Sequence, residues 1–272
     1  MTCTIHIISD LNLNFNEFTP KTEETIPDVD LVILNGNLSN HLKRSMLYAE
    51  YLCEKYPRTQ FVYNIGLSEF ASSDHVPKNA NELFSAMKTR SQFHNNWFKN
   101  LHFIHEENKE IELRNGVIVD VFATFGYPKI LKYEGHWYDH IWFKKIICDA
   151  TTDINHPKVM LPKNTSKVSH GHIPIWAYQE WVNEQHTIIN DKLQKWVSNS
   201  NATKILVSQI NPINDTRCEK QTCEFYDINF EGIWVSSNTR ISGQIYSGAK
   251  LYSNPGRGIE VRNLVVTLDN IN

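Results

Sequence analysis

The sequence lacks the marks of a membrane, secreted or nucleic-acid-binding protein. Its 272 residues contain no apolar run near the roughly 18 that span a bilayer, and no basic segment precedes an apolar core at the start. The five cysteines are odd in number and irregularly spaced, which excludes a disulfide framework. A net charge of -3 and a pI near 6.5 give no generic attraction to nucleic acid or membranes. These absences predict a cytoplasmic protein without a targeting peptide.

The composition is that of an ordinary globular protein. Hydrophobic residues make up 41% of the chain and charged residues 21%, and the length suffices to bury a sizeable core. We find no repeat, linker or low-complexity segment. The sequence therefore predicts a single domain over residues 1–272. It contains an irregular insertion around 126–175 that is aromatic and rich in Asn, Lys and Pro.

The first third of the chain alternates buried-looking strands with polar loops. Residues 4–9, 30–34 and 61–65 are β-rich runs, and the second is continuously apolar, as in a strand buried on both faces. A helical pattern occupies 40–56, with Asn40 as its N-cap. This order indicates an α/β sheet, in which sites lie at the strand ends.

The rest of the chain predicts more strands and two more helices. Asn115-Gly116 marks a tight hairpin between strands near 110–113 and 117–122. Helical periodicity over 79–100 includes Trp97, and a second helix over 174–196 has a buried stripe of Trp176, Trp181, Ile188, Ile189, Leu193 and Trp196. Strands follow at 204–208 and 232–236, and alternating apolar residues over 241–268 predict an antiparallel meander.

Five polar segments follow predicted strands. They are Ile8-Ser9-Asp10-Leu11-Asn12-Leu13, Asn35-Gly36-Asn37-Leu38-Ser39-Asn40, Gly66-Leu67-Ser68-Glu69-Phe70, Leu206-Val207-Ser208-Gln209 and Trp234-Val235-Ser236-Ser237-Asn238-Thr239-Arg240. In order and spacing they resemble the motifs of the calcineurin-like metallophosphoesterases, S-D-x-H-L, G-D-x-x-N, G-N-H-E-F, V-x-H and G-H-x-H. The resemblance implies an α/β/β/α sandwich of two mixed sheets flanked by helices. Residues 252–258 resemble the S-N-P-x-G-Y segment of a bacterial and phage subgroup, which implies such an origin.

The resemblance also marks the metal ligands, and nearly all are replaced. Asp10 keeps the family residue. The replaced positions are Asn12 for the first-motif His, Asn37 for the bridging Asp, Leu67 and Ser68 for the Asn and catalytic His, Gln209 for the fourth-motif His, and Asn238 and Arg240 for the final His pair. Amides are weak neutral ligands and a guanidinium repels cations, so no metal cofactor is expected.

The leading hypothesis is a catalytically inactive homologue that works by binding, with no enzymatic activity. Its ligand would be a protein partner or a phosphate-bearing molecule such as a nucleotide, held by Asp10, Asn37, Ser68, Gln209, Asn238 and Arg240. We further expect Arg240 to occupy the vacated metal position and pair with Asp10. The alternatives are an active phosphoesterase or nuclease with an unorthodox metal site at Asp10, and a purely structural protein.

Other candidate sites are weaker. His136 and His140 have i, i+4 spacing but lack the Glu of a zincin, and His170 and His172 lie in the insertion. Cys218 and Cys223 have no second ligand pair, which favours a solvent-exposed loop over zinc. The aromatic residues Trp137, Tyr138, Trp142 and Phe143 either cover the sheet or form a partner-binding patch.

Overall fold

A computed structural model describes residues 3–11, 26–39, 42–66, 69, 89, 97–127, 129–130, 175–199, 202–209, 212, 223–237, 241–253 and 265–268. The elements in chain order are β1 Cys3–Ile8, β2 Leu31–Asn35, α1 Leu42–Lys55, β3 Gln60–Asn64, β4 Leu101–Phe103, β5 Glu107–Glu112, β6 Ile118–Thr124, β7 Lys129–Ile130, α2 Ile175–Asn199, β8 Thr203–Ser208, β9 Cys223–Glu224, β10 Gly232–Ser236, β11 Ile241–Tyr246, β12 Ala249–Ser253 and β13 Val265–Leu268.

The strands form two large mixed sheets. The first has the order β13-β1-β2-β3-β4 and the second β11-β12-β10-β8-β6-β5, while β7 and β9 pair separately. Within each sheet the central strands are parallel, and β13, β5 and β11 add antiparallel pairs. Both sheets therefore direct the carboxyl ends of several parallel strands toward one edge.

The two sheets share one apolar core, and each has a helix on its outer face. Alternate residues of β1 and β2 pack with those of β8 and β10; Ile5, Ile33, Val207 and Val235 are fully buried there. Burying such side chains contributes about 1.5–3 kcal/mol each. The opposite faces pack on helices, with Met46 and Leu52 of α1 and Leu193 and Trp196 of α2 in the outer layers. This confirms the predicted α/β/β/α sandwich.

Most predicted elements occur within a few residues of their observed bounds. The hairpin closes with Leu113 N donating to Val117 O at 2.8 Å, and Gly116 has a φ of +77°. Of the stripe predicted on α2, Ile189, Leu193 and Trp196 are buried. Ile188 is 41% exposed, so its predicted burial is wrong. Trp97, in the helical pattern predicted over 79–100, is 72% exposed.

The predicted meander over 241–268 is wrong. β11 and β12 form an antiparallel hairpin, but β12 pairs with β10 in parallel, and β13 crosses to the first sheet and pairs antiparallel with β1. Alternating apolar residues show that a strand has one buried face without showing which sheet it joins. By covering β1, β13 also removes an exposed strand edge there.

Several predictions concern residues outside the described ones. These are His136, Trp137, Tyr138, His140, Trp142, Phe143, His170, His172 and Cys218, together with the cap Asn40.

Cys223 lies in β9, paired with Ile130, so the loop predicted for it is wrong. Cys3 and Cys53 are buried free thiols. The single-domain boundary stays a prediction. In the described part of the chain, neither helix has the length and apolar character that crossing a membrane requires.

Candidate functional site

Asp10 and Asn37 meet because they follow neighbouring parallel strands. β1 and β2 pair in parallel up to Ile8 and Leu34, and each then enters a loop. The loops are joined by Asp10 N, which donates to Gly36 O at 3.0 Å. Asp10 and Asn37 have φ values of +54° and +52°, a region that non-glycine residues rarely adopt and that is often found at functional sites.

The two side chains are hydrogen-bonded to each other. Asn37 Nδ2 donates to Asp10 Oδ1 at 2.7 Å, and both residues are buried, with 8% and 6% of their surface exposed. A carboxylate beside an amide N–H is a charge-assisted hydrogen bond. If residue 37 were a carboxylate, the same approach would place two negative charges together and require a cation or a proton.

A buried carboxylate, Glu69, holds the loop that carries Asn37. Its Oε2 accepts from Asn37 N at 2.8 Å and Gly66 N at 3.0 Å; its Oε1 accepts from Leu38 N at 2.7 Å and Ser45 Oγ at 2.9 Å. Burial raises the pKa of Glu69 above its usual range, and the hydrogen bonds from Leu38, Asn37 and Ser45 act in the opposite direction. One carboxylate thus ties the first turn of α1 and the loops after β2 and β3.

Two glycines allow these loops to touch. A Cβ on Gly66 would lie 2.3 Å from Asn37 N, and one on Gly36 would lie 2.5 Å from Gly66 Cα. The Gly36 Cβ would also lie 2.3 Å from Gln209 Oε1, so the side chain that follows β8 packs directly against Gly36. Gly36 has a φ of +66°, which glycine adopts at no steric cost. The structure therefore brings Gln209 of the second sheet to the loops of the first.

Gln209 also links the fourth motif to the fifth. Its main-chain N donates to Phe125 O at 3.1 Å, and its Nε2 donates to Ser237 Oγ, which in turn donates to Gln209 O. Gln209 and Ser237 are fully buried. Reciprocal side-chain and main-chain hydrogen bonds fix the amide in one orientation.

Amide groups join the two sheets beneath the site. Asn35 Nδ2 donates to Ser208 O at 2.8 Å, from β2 across to β8. Asn64 Nδ2 donates to Asn35 Oδ1 and to Thr124 O, both at 3.0 Å. The carboxyl ends of β2, β3, β6 and β8 are thus held together by neutral hydrogen bonds.

The structure therefore brings together three of the predicted positions, Asp10, Asn37 and Gln209. The remaining positions, Asn12, Leu67, Ser68, Asn238 and Arg240, lie outside the described residues. The pairing of Arg240 with Asp10 stays a prediction.

Sequence reasoning missed the roles of Glu69 and Ser237, although both lie in the quoted segments. Glu69 follows Gly66 by three positions, and the segment Gly66-Leu67-Ser68-Glu69-Phe70 contains no basic residue. That isolation was the available signal, because a buried acid without a cation must be held by main-chain or hydroxyl donors.

The donor set of the described residues does not fit a two-metal centre. Such a centre needs a bridging carboxylate between the two cations. The resemblance puts Asn37 at the bridging position, and in the structure its amide directs an N–H group, not a lone pair, at Asp10. Within the described ranges, no group of three or more His, Cys, Asp or Glu side chains is placed to share a cation.

Comparison with known proteins supports the fold. No protein-family model matches the chain, and no curated protein matches its sequence. The crystal structure of phosphopantetheinyl hydrolase from Mycobacterium tuberculosis aligns with 93% of this chain and 89% of its own, with 12% identity and a TM-score of 0.54. The crystal structure of a dimetal phosphatase from Danio rerio aligns with 97% of this chain and 91% of its own, with 11% identity and a TM-score of 0.38. The chain has a metallophosphoesterase-like fold.

Proposed function

We propose that this protein is a catalytically inactive member of the metallophosphoesterase fold that acts by binding. The hydrogen bond between Asn37 Nδ2 and Asp10 Oδ1 is the main support. In a two-metal enzyme these positions are two anions that need cations between them. Here the pair is complementary without a cation, so binding a metal would first require breaking a buried charge-assisted hydrogen bond.

Of the two ligand classes, the described loops favour a protein partner over a phosphate. The backbone N–H groups of Asn37, Leu38 and Gly66 form the kind of cradle that binds anions, but they already donate to Glu69. A phosphate at this loop would have to displace that carboxylate and approach Asp10, which has the same sign of charge. A protein partner needs neither step.

Hydrolysis and metal content test the loss of activity. We expect no turnover of bis(p-nitrophenyl) phosphate above blank with Mn²⁺, Ni²⁺ or Mg²⁺. The reason is that Asn37 replaces the bridging carboxylate of the resembled family and Ser68 replaces its catalytic imidazole. Asp10→Ala is the matched control. Turnover that this variant abolishes in folded protein, or about two equivalents of tightly bound Mn, Fe or Zn, would establish the alternative of an unorthodox active site.

The ligand class is tested separately with inorganic phosphate. We expect millimolar phosphate to leave the thermal unfolding temperature unchanged relative to sulfate at equal ionic strength. A phosphate-specific increase that Arg240→Ala removes would instead support a phosphate-bearing ligand. For a protein partner, the decisive result is binding between purified components that Asp10→Ala or Asn37→Ala weakens.

A further inference from the structure

A second carboxyl group, largely enclosed, lies beneath α2. It belongs to Glu106, between β4 and β5. Glu106 N donates to Ala123 O of β6 at 2.6 Å, and Glu106 O accepts from Lys192 Nζ of α2 at 3.0 Å. The residue has a φ of +55°, and 16% of its side chain is exposed. Its main chain therefore bridges β6 and α2 while its side chain is enclosed.

The groups around the Glu106 carboxyl give it little compensation. His105 Nε2 lies 3.6 Å from Glu106 Oε1, but burial lowers the pKa of His105 to about 3, so the imidazole is neutral at physiological pH. Tyr226 is also neutral, since burial raises its pKa well above the usual range. Burial raises the pKa of Glu106 to about 7, against the opposing effects of Lys192 and Tyr127.

The same region is where α2 makes polar contacts with the loops beneath it. His186 Nδ1 lies 2.9 Å from Tyr127 O, and the His186 ring stacks on Tyr226 with centroids 5.1 Å apart. One turn further, Asn190 Oδ1 accepts from Asp227 N at 3.0 Å. Opening α2 here would break these contacts and give water access to Glu106.

We propose that Glu106 makes the docking of α2 proton-sensitive: ionisation of its carboxyl favours release of the 186–192 segment from the end of β6, and protonation favours docking. The elements that face Glu106 supply His105, Tyr127, Tyr226 and the Lys192 ammonium group. Of these, Lys192 opposes release, because its charge stabilises the carboxylate in the docked state. Thr124 O at the end of β6 accepts from Asn64 Nδ2, so the release occurs next to the candidate site.

The direction of the pH dependence follows from the ionisation of Glu106 in the docked and released states of α2. In the released state the solvated carboxyl has its ordinary pKa of 4.5, and in the docked state about 7. Docking is therefore strongest below about pH 4.5 and weakens as the pH rises through about 7. A shift from 4.5 to about 7 changes the release equilibrium by up to roughly 300-fold.

Two measurements test the proposal on the whole protein. Carboxyl ¹³C NMR of the wild type should show Glu106 titrating near neutral pH. Amide exchange, corrected for intrinsic rates, should show protection of residues 186–192 falling by on the order of 10- to 100-fold between about pH 5.5 and about pH 8.5. Glu106→Gln should remove this fall, whereas Glu107→Gln, an exposed neighbour in β5, should retain it.

Three results would overturn it: titration of Glu106 near its ordinary value, a fall in protection that persists in Glu106→Gln, or its loss in Glu107→Gln. If Glu106→Gln does not fold, Lys192→Gln decides. Lys192 stabilises the carboxylate in the docked state, so its removal should raise the docked pKa of Glu106 and move the fall in protection to higher pH. A fall in protection that stays at the wild-type pH, or moves to lower pH, would overturn the proposal.

Discussion

Glu69 is fully buried, Glu106 keeps 16% of its side chain exposed, and the fold surrounds the two carboxyl groups differently. Glu69 accepts four hydrogen bonds from three main-chain N–H groups and one hydroxyl. Glu106 is faced by a neutral imidazole, by the Tyr127 hydroxyl, which lowers its pKa, and by a lysine whose hydrogen bond goes to the main-chain oxygen. Burial raises the pKa of both groups. The number of hydrogen-bond donors, together with the depth of burial, therefore separates an acid that fixes a loop from one that responds to protons.

The same contrast extends to the backbone around each residue. Near Glu69, Gly36 and Gly66 bring two loops together at distances that leave no room for a Cβ. Near Glu106, α2 lies over the loops through polar side-chain contacts such as that of His186 with Tyr127 O. Tight packing makes the first region rigid, and side-chain contacts at a helix surface can open at lower cost.

The largest expected effect comes from removing the Glu69 carboxylate. Glu69→Ala leaves the N–H groups of Asn37, Leu38 and Gly66 buried without their acceptor, and we expect the free energy of unfolding to fall by about 3–5 kcal/mol. Urea unfolding at about pH 8 measures the loss.

Glu106→Gln is the comparison variant under the same conditions. It should leave stability unchanged or raise it, because a neutral side chain avoids the cost of burying an ionised carboxyl. Similar losses of unfolding free energy in Glu69→Ala and Glu106→Gln would show that the two carboxyl groups contribute to stability in the same way.

Much of the fold followed from the sequence because apolar strands and polar strand ends are local patterns. The convergence of Asp10, Asn37 and Gln209 was predictable, since each follows a buried parallel strand. The partner of β13 was not, because alternation does not specify a sheet. The surroundings of Glu106 depend on Lys192 of α2 and on Tyr226, both more than 80 residues away in the chain. Contacts of that range leave no signal in a local window.

A second prediction tests how tightly the loops near Glu69 are packed. Gly36 and Gly116 have φ values of +66° and +77°, so alanine is similarly strained at both. The added Cβ meets Gln209 Oε1 and the Gly66 main chain at position 36 and nothing within 4 Å at position 116. We expect Gly116→Ala to cost about 1 kcal/mol and Gly36→Ala about 1–3 kcal/mol more. If urea unfolding shows equal losses of stability for Gly36→Ala and Gly116→Ala, the loops at Gly36 and Gly66 can move apart to accept the added methyl group.

The smallest effect tests the electrostatic balance at the candidate site. Asn37→Asp replaces the donor to Asp10 with a second carboxylate, and we expect the free energy of unfolding at about pH 8 to fall by about 1–3 kcal/mol. One carboxyl of the pair then has a raised pKa in the folded state. The wild-type advantage should therefore shrink as the pH falls through that raised pKa, when the two groups share a proton.

Asn108→Asp is the matched control for this last effect. Asn108 Nδ2 donates to Asp120 Oδ1 at 3.0 Å, so the chemistry is the same, but Asn108 is exposed on β5. Water screens the new charge there, and the cost should stay below about 1 kcal/mol. Added Mn²⁺ should stabilise Asn37→Asp and not Asn108→Asp, since two carboxylates at adjacent strand ends can hold a cation. Equal losses, or an Asn37→Asp variant more stable than wild type without metal, would contradict the idea that Asn37 substitutes for a cation at Asp10.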